Sequence, residues 1–143
     1  MGSYAQGAQK CGTLPSEVAS DVAYGVFSKT VVLQAATVTN VEATVAIPAG
    51  AQILSITADS SVAWTATGAV VLTAGITAGG TEYITTVDLK TVVRSAPTLT
   101  AAQVGAMANV GTNTSLVLRA NSASGANTVG TTVVTVLFVP KLM

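Results

Sequence analysis

The chain has 143 residues, of which 8% are charged, none is histidine and one is cysteine, and its formal net charge at pH 7 is zero. A soluble surface usually carries about 25–35% charged residues, so this composition, with a mean hydropathy of +0.62, predicts that other subunits cover much of the surface in a homo-oligomer. The neutral balance argues against a nucleic-acid partner, which would need a basic stripe. The chain also lacks the run of about 18 apolar residues that indicates a membrane span.

Residues 1–28 differ in composition from the rest and are predicted to form an extended N-terminal arm, ahead of one β-domain over residues 29–143. The arm is rich in Gly, Ala, Gln and Ser and shows no sustained hydrophobic period. Within it, PSEVASDVAYG could form one short helix capped by Ser16, because Val18 and Val22 lie one helical turn apart.

Half of the six aromatic residues lie in this arm: Tyr4, Tyr24 and Phe27. Disordered tails tend to lack aromatic residues, so one interpretation is an arm that anchors on another subunit, with these three as interface residues. The alternative is a tail in which they occur by chance. Cys11, also in the arm, has no partner for an intramolecular disulfide, and this leaves the redox compartment open.

The remainder of the chain is dominated by Val, Thr, Ala and Ile, which favour strands over helices. Turn residues separate short apolar runs, as in an antiparallel fold rather than an alternating β/α fold. The predicted fold class is therefore all-β, an antiparallel β-sandwich or barrel. The predicted strands span residues 30–38, 41–47, 51–58, 61–66, 69–74, 82–88, 114–120 and 131–139.

Three local features of the β-domain make specific predictions. In IPAGA, Pro48 and Gly50 fit positions i+1 and i+3 of a type I turn. Thr100 is predicted to cap a short helix that ends before Gly111. Trp64 is predicted to be a buried core residue rather than a ligand-stacking platform, since such platforms usually combine several aromatic residues.

The last predicted strand, TTVVTVLFV, is apolar on both faces. In a two-layer sandwich one face of a strand meets the opposite sheet, and something else must cover the other face. That cover is either a loop or the N-terminal segment of the same chain, or a neighbouring copy. On the second interpretation Val134, Val136 and Phe138 are interface residues.

No catalytic, cofactor or metal site is predicted. Without histidine, neither a Ser/His/Asp nor a Cys/His nucleophile can be assembled. Glu82 and Asp88 would lie about 20 Å apart on a continuous strand at about 3.3 Å per residue, which is too far to share a proton or a metal ion. The glycines of TAGITAGGTEY lack the lysine and the spacing of a phosphate-binding loop. The sequence therefore predicts a protein that is not an enzyme.

Three stretches carry a family resemblance: VEATVAIPAGAQILSIT, GAVVLTAGITAGGTEYITTVDLKT and TTVVTVLFVPKL. They resemble small structural proteins of tailed bacteriophages that decorate or cement the capsid, including head-spike-like proteins. In such proteins an IPAGA turn follows the first β-rich segment, a Gly-rich hairpin precedes a VDLKT-like strand, and an apolar strand ends the chain. The similarity covers about residues 29–140.

The resemblance implies a jelly-roll-like sandwich on the outer surface of the virion capsid, commonly a trimer where capsomers meet, with the major capsid protein as its partner. It implies a cementing function, since interfaces that form only in the assembled shell add their free energy to that shell. The alternative is a receptor-binding or fibre-like virion component. A hydrolase acting on polysaccharide is a third hypothesis, and it would need converging carboxylates.

Overall fold

The computed structural model describes residues 25–141, and these form two antiparallel sheets packed face to face, with one short helix. One sheet has the strand order β1-β7-β3-β5 and the other β2-β6-β4. The elements in chain order are β1 (Phe27–Gln34), β2 (Asn40–Ala46), β3 (Gln52–Val62), β4 (Val70–Gly75), β5 (Arg94–Ser95), α1 (Ala101–Ala108), β6 (Ser115–Ser122) and β7 (Thr131–Val139).

The strand pairs are nested, as in a long hairpin folded over on itself. β1 pairs with β7, β2 with β6, and β3 with β5, all antiparallel. The innermost pair joins β4 to the segment over residues 84–89, where the Leu72 and Val87 backbones exchange hydrogen bonds of 2.8 and 3.2 Å. Pairing of the first strand with the last, and so on inward, is the jelly-roll arrangement of two Greek keys. The predicted fold class is therefore confirmed.

The strand predicted over residues 82–88 is present only in part, because a bulge interrupts it. Its backbone bonds to β4 through Ile84 with Ala74 and through Val87 with Leu72. Two residues on this segment thus oppose one residue on β4, which is the definition of a β-bulge. Sequence alternation could not show this, since the extra residue leaves the local composition unchanged.

The break predicted between residues 58 and 61 is wrong, because β3 runs through this stretch as one strand along β7. Asp59 to Ser61 looks like a polar turn in the sequence, but Ser60 is buried, with its Oγ 2.9 Å from Thr132 Oγ1. Two shifts in the register with β7 mark extra residues at Leu54 and Ser61. Each bulge changes which residues point inward.

The other predicted strands correspond to β1, β2, β4, β6 and β7 with boundaries within four residues, and the sequence pattern does not predict the two-residue β5. β1 ends earlier than predicted because the chain turns at Thr37, which has a φ of 59°. It also begins earlier, at Phe27, inside the predicted arm. The short helix predicted in PSEVASDVAYG lies outside the described residues, apart from its last residue, Gly25.

The turn after β2 is one residue later than predicted. The Ala51 amide donates to the Pro48 carbonyl at 3.1 Å, so the turn spans residues 48–51. Gly50 then occupies the third position with a φ of 75°. A positive φ at that position is required by a type II turn rather than by type I.

The predicted helix α1 is confirmed, and its N-terminus is fixed by a capping box. Thr100 Oγ1 accepts from the Gln103 amide at 3.2 Å, and Gln103 Oε1 accepts from the Thr100 amide at 2.9 Å. The other side-chain atom of Gln103, Nε2, donates to Thr85 Oγ1 at 2.7 Å. This last bond connects α1 to the bulged segment beside β4.

Trp64 is buried in the core, as predicted. The position of its indole ring also explains why residue 130 is a glycine. Its Nε1 donates to Thr132 Oγ1 at 2.8 Å. Gly130 precedes Thr132 by two residues and lies against the indole ring of Trp64 with a φ of 154°. A Cβ at Gly130 would lie 2.6 Å from Trp64 Cδ2, which is closer than real contacts allow.

We expect Gly130→Ala to lower the free energy of unfolding by about 2 kcal/mol, because the added methyl overpacks the indole. Gly105→Ala is the matched control, since nothing lies within 4 Å of its Cβ position and alanine favours a helix over glycine by about 1 kcal/mol. Urea unfolding followed by the fluorescence of Trp64 measures both. Equal midpoints for the two variants would contradict the role assigned to Gly130.

The second prediction concerns alkaline pH. Burial raises the pKa of the Tyr83 hydroxyl above 10.0, the charge of Glu82 raises it further, and a hydrogen bond with Asn113 lowers it. The pKa of this hydroxyl is higher in the folded chain than in the unfolded chain, so the unfolded chain loses the proton first as the pH rises. The contribution of Tyr83 to the free energy of unfolding is therefore complete below about pH 10 and is lost as the pH rises further. Tyr83→Phe should therefore unfold with a shallower loss of stability between about pH 9.5 and 11. Parallel curves of urea midpoint against pH would contradict this.

Candidate interaction surfaces

Most charged side chains of the described residues form a hydrogen bond or an ion pair within the chain, although several remain exposed, up to 77% for Arg94. Within residues 25–141, only Asp88 and Lys141 make no side-chain hydrogen bond or ion pair. The others form these contacts: Lys29 with the Ala46 carbonyl at 2.8 Å, Lys90 with the Ala66 carbonyl at 2.8 Å, Arg94 with Asp59 at 2.9 Å, Arg119 with Glu42 at 3.5 Å, and Glu82 with the Ile76 amide at 3.0 Å.

The described residues show no group of three or more metal-ligating side chains. In the same part of the chain, no helix is long and apolar enough to cross a membrane. Glu82 and Asp88 make different contacts. Glu82 Oε1 accepts from a backbone amide, whereas the backbone of Asp88 forms an isolated β-bridge with β4. The surfaces of the sandwich are therefore the features to consider.

The first candidate surface is the outer face of the four-stranded sheet, which consists of the outward residues of β1, β7, β3 and β5. Thr30, Thr135 and Thr57 lie side by side across three strands, with 3.4 Å between the Oγ1 atoms of Thr30 and Thr135. Serines and a leucine form the adjacent row. One ion pair, Arg94 with Asp59, lies toward the β5 edge. We call this surface the outer sheet face.

One end of the outer sheet face carries exposed valines beside the ion pair, since Asp59 of β3 lies opposite Val133. Val32 is 57% exposed and pairs with the half-buried Val133 of β7. Val62, at the end of β3, is also exposed and lies opposite Thr131. These β-branched side chains have little rotamer freedom, so they present a fixed surface to anything that binds there.

The three predicted interface residues of the last strand lie on its inward face. Val134 and Val136 are fully buried and Phe138 is nearly so, all in the core between the sheets. This side of β7 is therefore covered by the chain itself. The outward residues Val133, Thr135 and Leu137 are half-buried, so any contact of β7 with another subunit must use them instead.

Of the three aromatic residues predicted at an interface, the structure describes Phe27. Its ring stacks on Phe138 with 5.9 Å between centroids and an angle of 28° between the planes. Phe27 nevertheless remains 50% exposed. Tyr4 and Tyr24 lie outside the described residues, so an anchoring role for the three aromatic residues stays a prediction.

The second candidate surface is an apolar groove between α1 and the start of β3, and the sequence analysis missed it. Its lining includes Ile53, Leu54, Leu99, Val104 and Met107. Leu54, the extra residue of the first bulge in β3, is 44% exposed, and Val104 of α1 is 53% exposed. We call this the α1 groove.

The burial pattern of α1 is the reverse of that of an ordinary surface helix, which buries apolar residues and exposes polar ones. Its one polar residue, Gln103, is buried, and the exposed positions are all small and apolar. A helix that is apolar all round is normally covered by other protein. AAQVGAMA was the sequence signal for this surface, and the exposed residues are Ala101, Ala102, Val104, Gly105 and Ala108.

The fold has a counterpart among solved structures. No protein-family model matches the sequence, and no curated protein sequence matches it significantly. A chain of the capsid asymmetric unit of cyanophage Pam1 is similar, with a TM-score of 0.53, 23% identity, and coverage of 82% of this chain and 85% of that chain. A chain of the acid-stable capsid of Helicobacter pylori bacteriophage KHP30 gives a TM-score of 0.46 at 14% identity, covering 83% and 97%. The likeness to the Pam1 chain shows a shared β-sandwich fold.

Proposed function

We propose that this chain is a structural virion protein that binds the outside of a bacteriophage capsid and cements it through contacts between subunits. The outer sheet face is the observation that carries the proposal. It is a four-stranded surface of Ser, Thr, Gln, Val and Leu with one ion pair, Arg94 with Asp59. A broad exposed surface with so little charge is typical of a protein–protein contact.

The fold supports a place in a shell. The Pam1 chain comes from a capsid asymmetric unit, and jelly-roll sandwiches are common in viral capsids. A shared fold alone does not determine function, so the proposal depends equally on the surface. The resemblance of the sequence to capsid-decorating proteins supports the outer surface of the capsid as the location.

The rigidity of this surface supports a cementing role. An interface that forms only in the assembled shell adds its free energy to the assembly. Binding costs less when the contacting side chains have few rotamers to lose, and Thr30, Val32 and Val133 are β-branched. Many copies of a modest contact would then sum to a large stabilisation of the shell.

The same scarcity of charge supports a closed homo-oligomer, and we propose a trimer, with the major capsid protein as the second partner. The N-terminal arm is proposed to anchor each copy on a neighbouring subunit or on the shell. Since β1 begins at Phe27, we assign residues 1–26 to the arm in this proposal.

The oligomer can be tested on the outer sheet face. We expect Val32→Lys to weaken self-association by at least about tenfold, because a charge left unpaired in an interface costs more than about 1.4 kcal/mol. Thr44→Lys is the matched control, since Thr44 is an exposed strand residue on the other sheet. Light scattering over a dilution series measures both. A wild-type chain that is monomeric at every micromolar concentration would disprove the oligomer.

The cementing function can be tested with capsid shells assembled without this protein. The full chain should bind them stoichiometrically, and a chain lacking residues 1–24 should show lower occupancy while its urea unfolding stays unchanged. Equal occupancy for both chains would rule out anchoring by the arm. If the full chain ignored the shells and bound host cells, the receptor-binding alternative would replace cementing.

A further inference from the structure

We propose that the α1 groove receives residues 14–24 of a neighbouring copy of this chain. The inference rests on the proposed homo-oligomer and adds to it the surface that receives the arm. It is carried by three observations: an uncovered apolar helix face, an apolar and acidic pattern in the segment, and the place where the described chain begins.

The α1 groove leaves apolar side chains uncovered. Gln103 turns inward, where its Nε2 donates to the Thr81 carbonyl at 3.2 Å and to Thr85 Oγ1 at 2.7 Å. The polar group of the helix is thus satisfied by the domain itself, and solvent meets alanine, valine and glycine. Leu54 and Val104 form the exposed walls. Small residues along α1 allow another segment to approach its backbone closely.

The arm contains a segment whose apolar pattern matches such a groove. Leu14, Val18 and Val22 recur every four residues. In a helix, residues at this spacing form one continuous apolar stripe. A stripe of three branched side chains is complementary to a groove lined by Leu54 and Val104, because each supplies apolar surface that the other leaves exposed.

The charges are complementary as well. Residues 14–24 include Glu17 and Asp21 and no basic residue. Lys141 lies with Asn109 beyond the C-terminal end of α1, and its amino group makes no ion pair within the described residues. An acidic segment in the α1 groove would bring carboxylates toward this lysine.

The described chain begins at the same end of the sandwich as the groove. Phe27, Phe138 and Ile53 lie in one row across β1, β7 and β3, so the groove is about 10 Å from β1 along the sheet, plus about 5 Å for the radius of a helix. The five steps from Val22 to Phe27 span at most about 17 Å. Within one chain this link would be almost fully stretched, whereas an adjacent copy can place its own Phe27 nearer to the groove and span the distance with the same link.

Disulfide trapping tests the proposal in the full-length chain. Cys11→Ser removes the one native cysteine, and Val22→Cys with Val104→Cys then places one thiol on the segment and one on the groove. A disulfide forms only when the two Cα atoms come within about 7 Å. We expect disulfide-linked multimers on a non-reducing gel, at a yield at least about tenfold above that of the control pair Val22→Cys with Val92→Cys.

Val92 is a suitable control because it is a 61% exposed valine near the other end of the sheet. Val22→Cys with Ala108→Cys is a second test pair in case the first destabilises α1. An intramolecular disulfide, equal yields for test and control pairs, or no disulfide in either test pair would each overturn the proposal. Light scattering on the same samples distinguishes failure of this inference from failure of the proposed function. An oligomer that forms without the disulfide leaves the proposed function intact and removes only this inference.

Discussion

β7 has a strand on each side, β1 and β3, and this double pairing determines both the core and the outer sheet face. Its inward residues must fill the space between the sheets, and Thr132 must also accept the indole hydrogen bond of Trp64. Side chains alternate along a strand, so once the inward set is fixed by the core the outward set is fixed too. The row of Thr30, Thr135 and Thr57 is therefore a consequence of core packing as much as of any external contact.

The surface is poor in charge first because 8% of the residues are charged. Several of the charged groups are used to hold irregular segments, as Lys90 does when its Nζ donates to the carbonyls of Ala66 and Gly68 at 2.8 and 3.1 Å. A jelly roll has many long connections, and their backbone groups need partners. The outer sheet face carries the exposed pair of Arg94 and Asp59 and otherwise hydroxyl, amide and aliphatic groups.

The sequence predicted the features that depend on local pattern and missed those that depend on distant partners. TTVVTVLFV gave the position of β7, and Thr100 gave the start of α1, because both signals lie within a few residues. The pattern predicts a break between strands at Ser60, because nothing near it in the sequence shows that its hydroxyl partner is Thr132, 72 residues away. For the same reason Val134 was assigned to an interface: a strand that is apolar on both sides does not reveal which side meets its own sheet. The α1 groove depends on a bulge at Leu54, which only the register with β7 defines.

The two candidate surfaces differ in the symmetry that they allow. An arm that enters the groove of a neighbour joins two different parts of the chain, so the contact is heterologous. Heterologous contacts close into rings when the rotation between copies permits it and otherwise extend into filaments. A link formed by the chain segment before Phe27 can adjust its path, which makes closure easier than it would be for two rigid faces. Such an arm therefore favours a small cyclic ring such as a trimer, and the outer sheet face, whose exposed valines lie toward the opposite end of the strands from the groove, remains available for contact with another copy or with the shell.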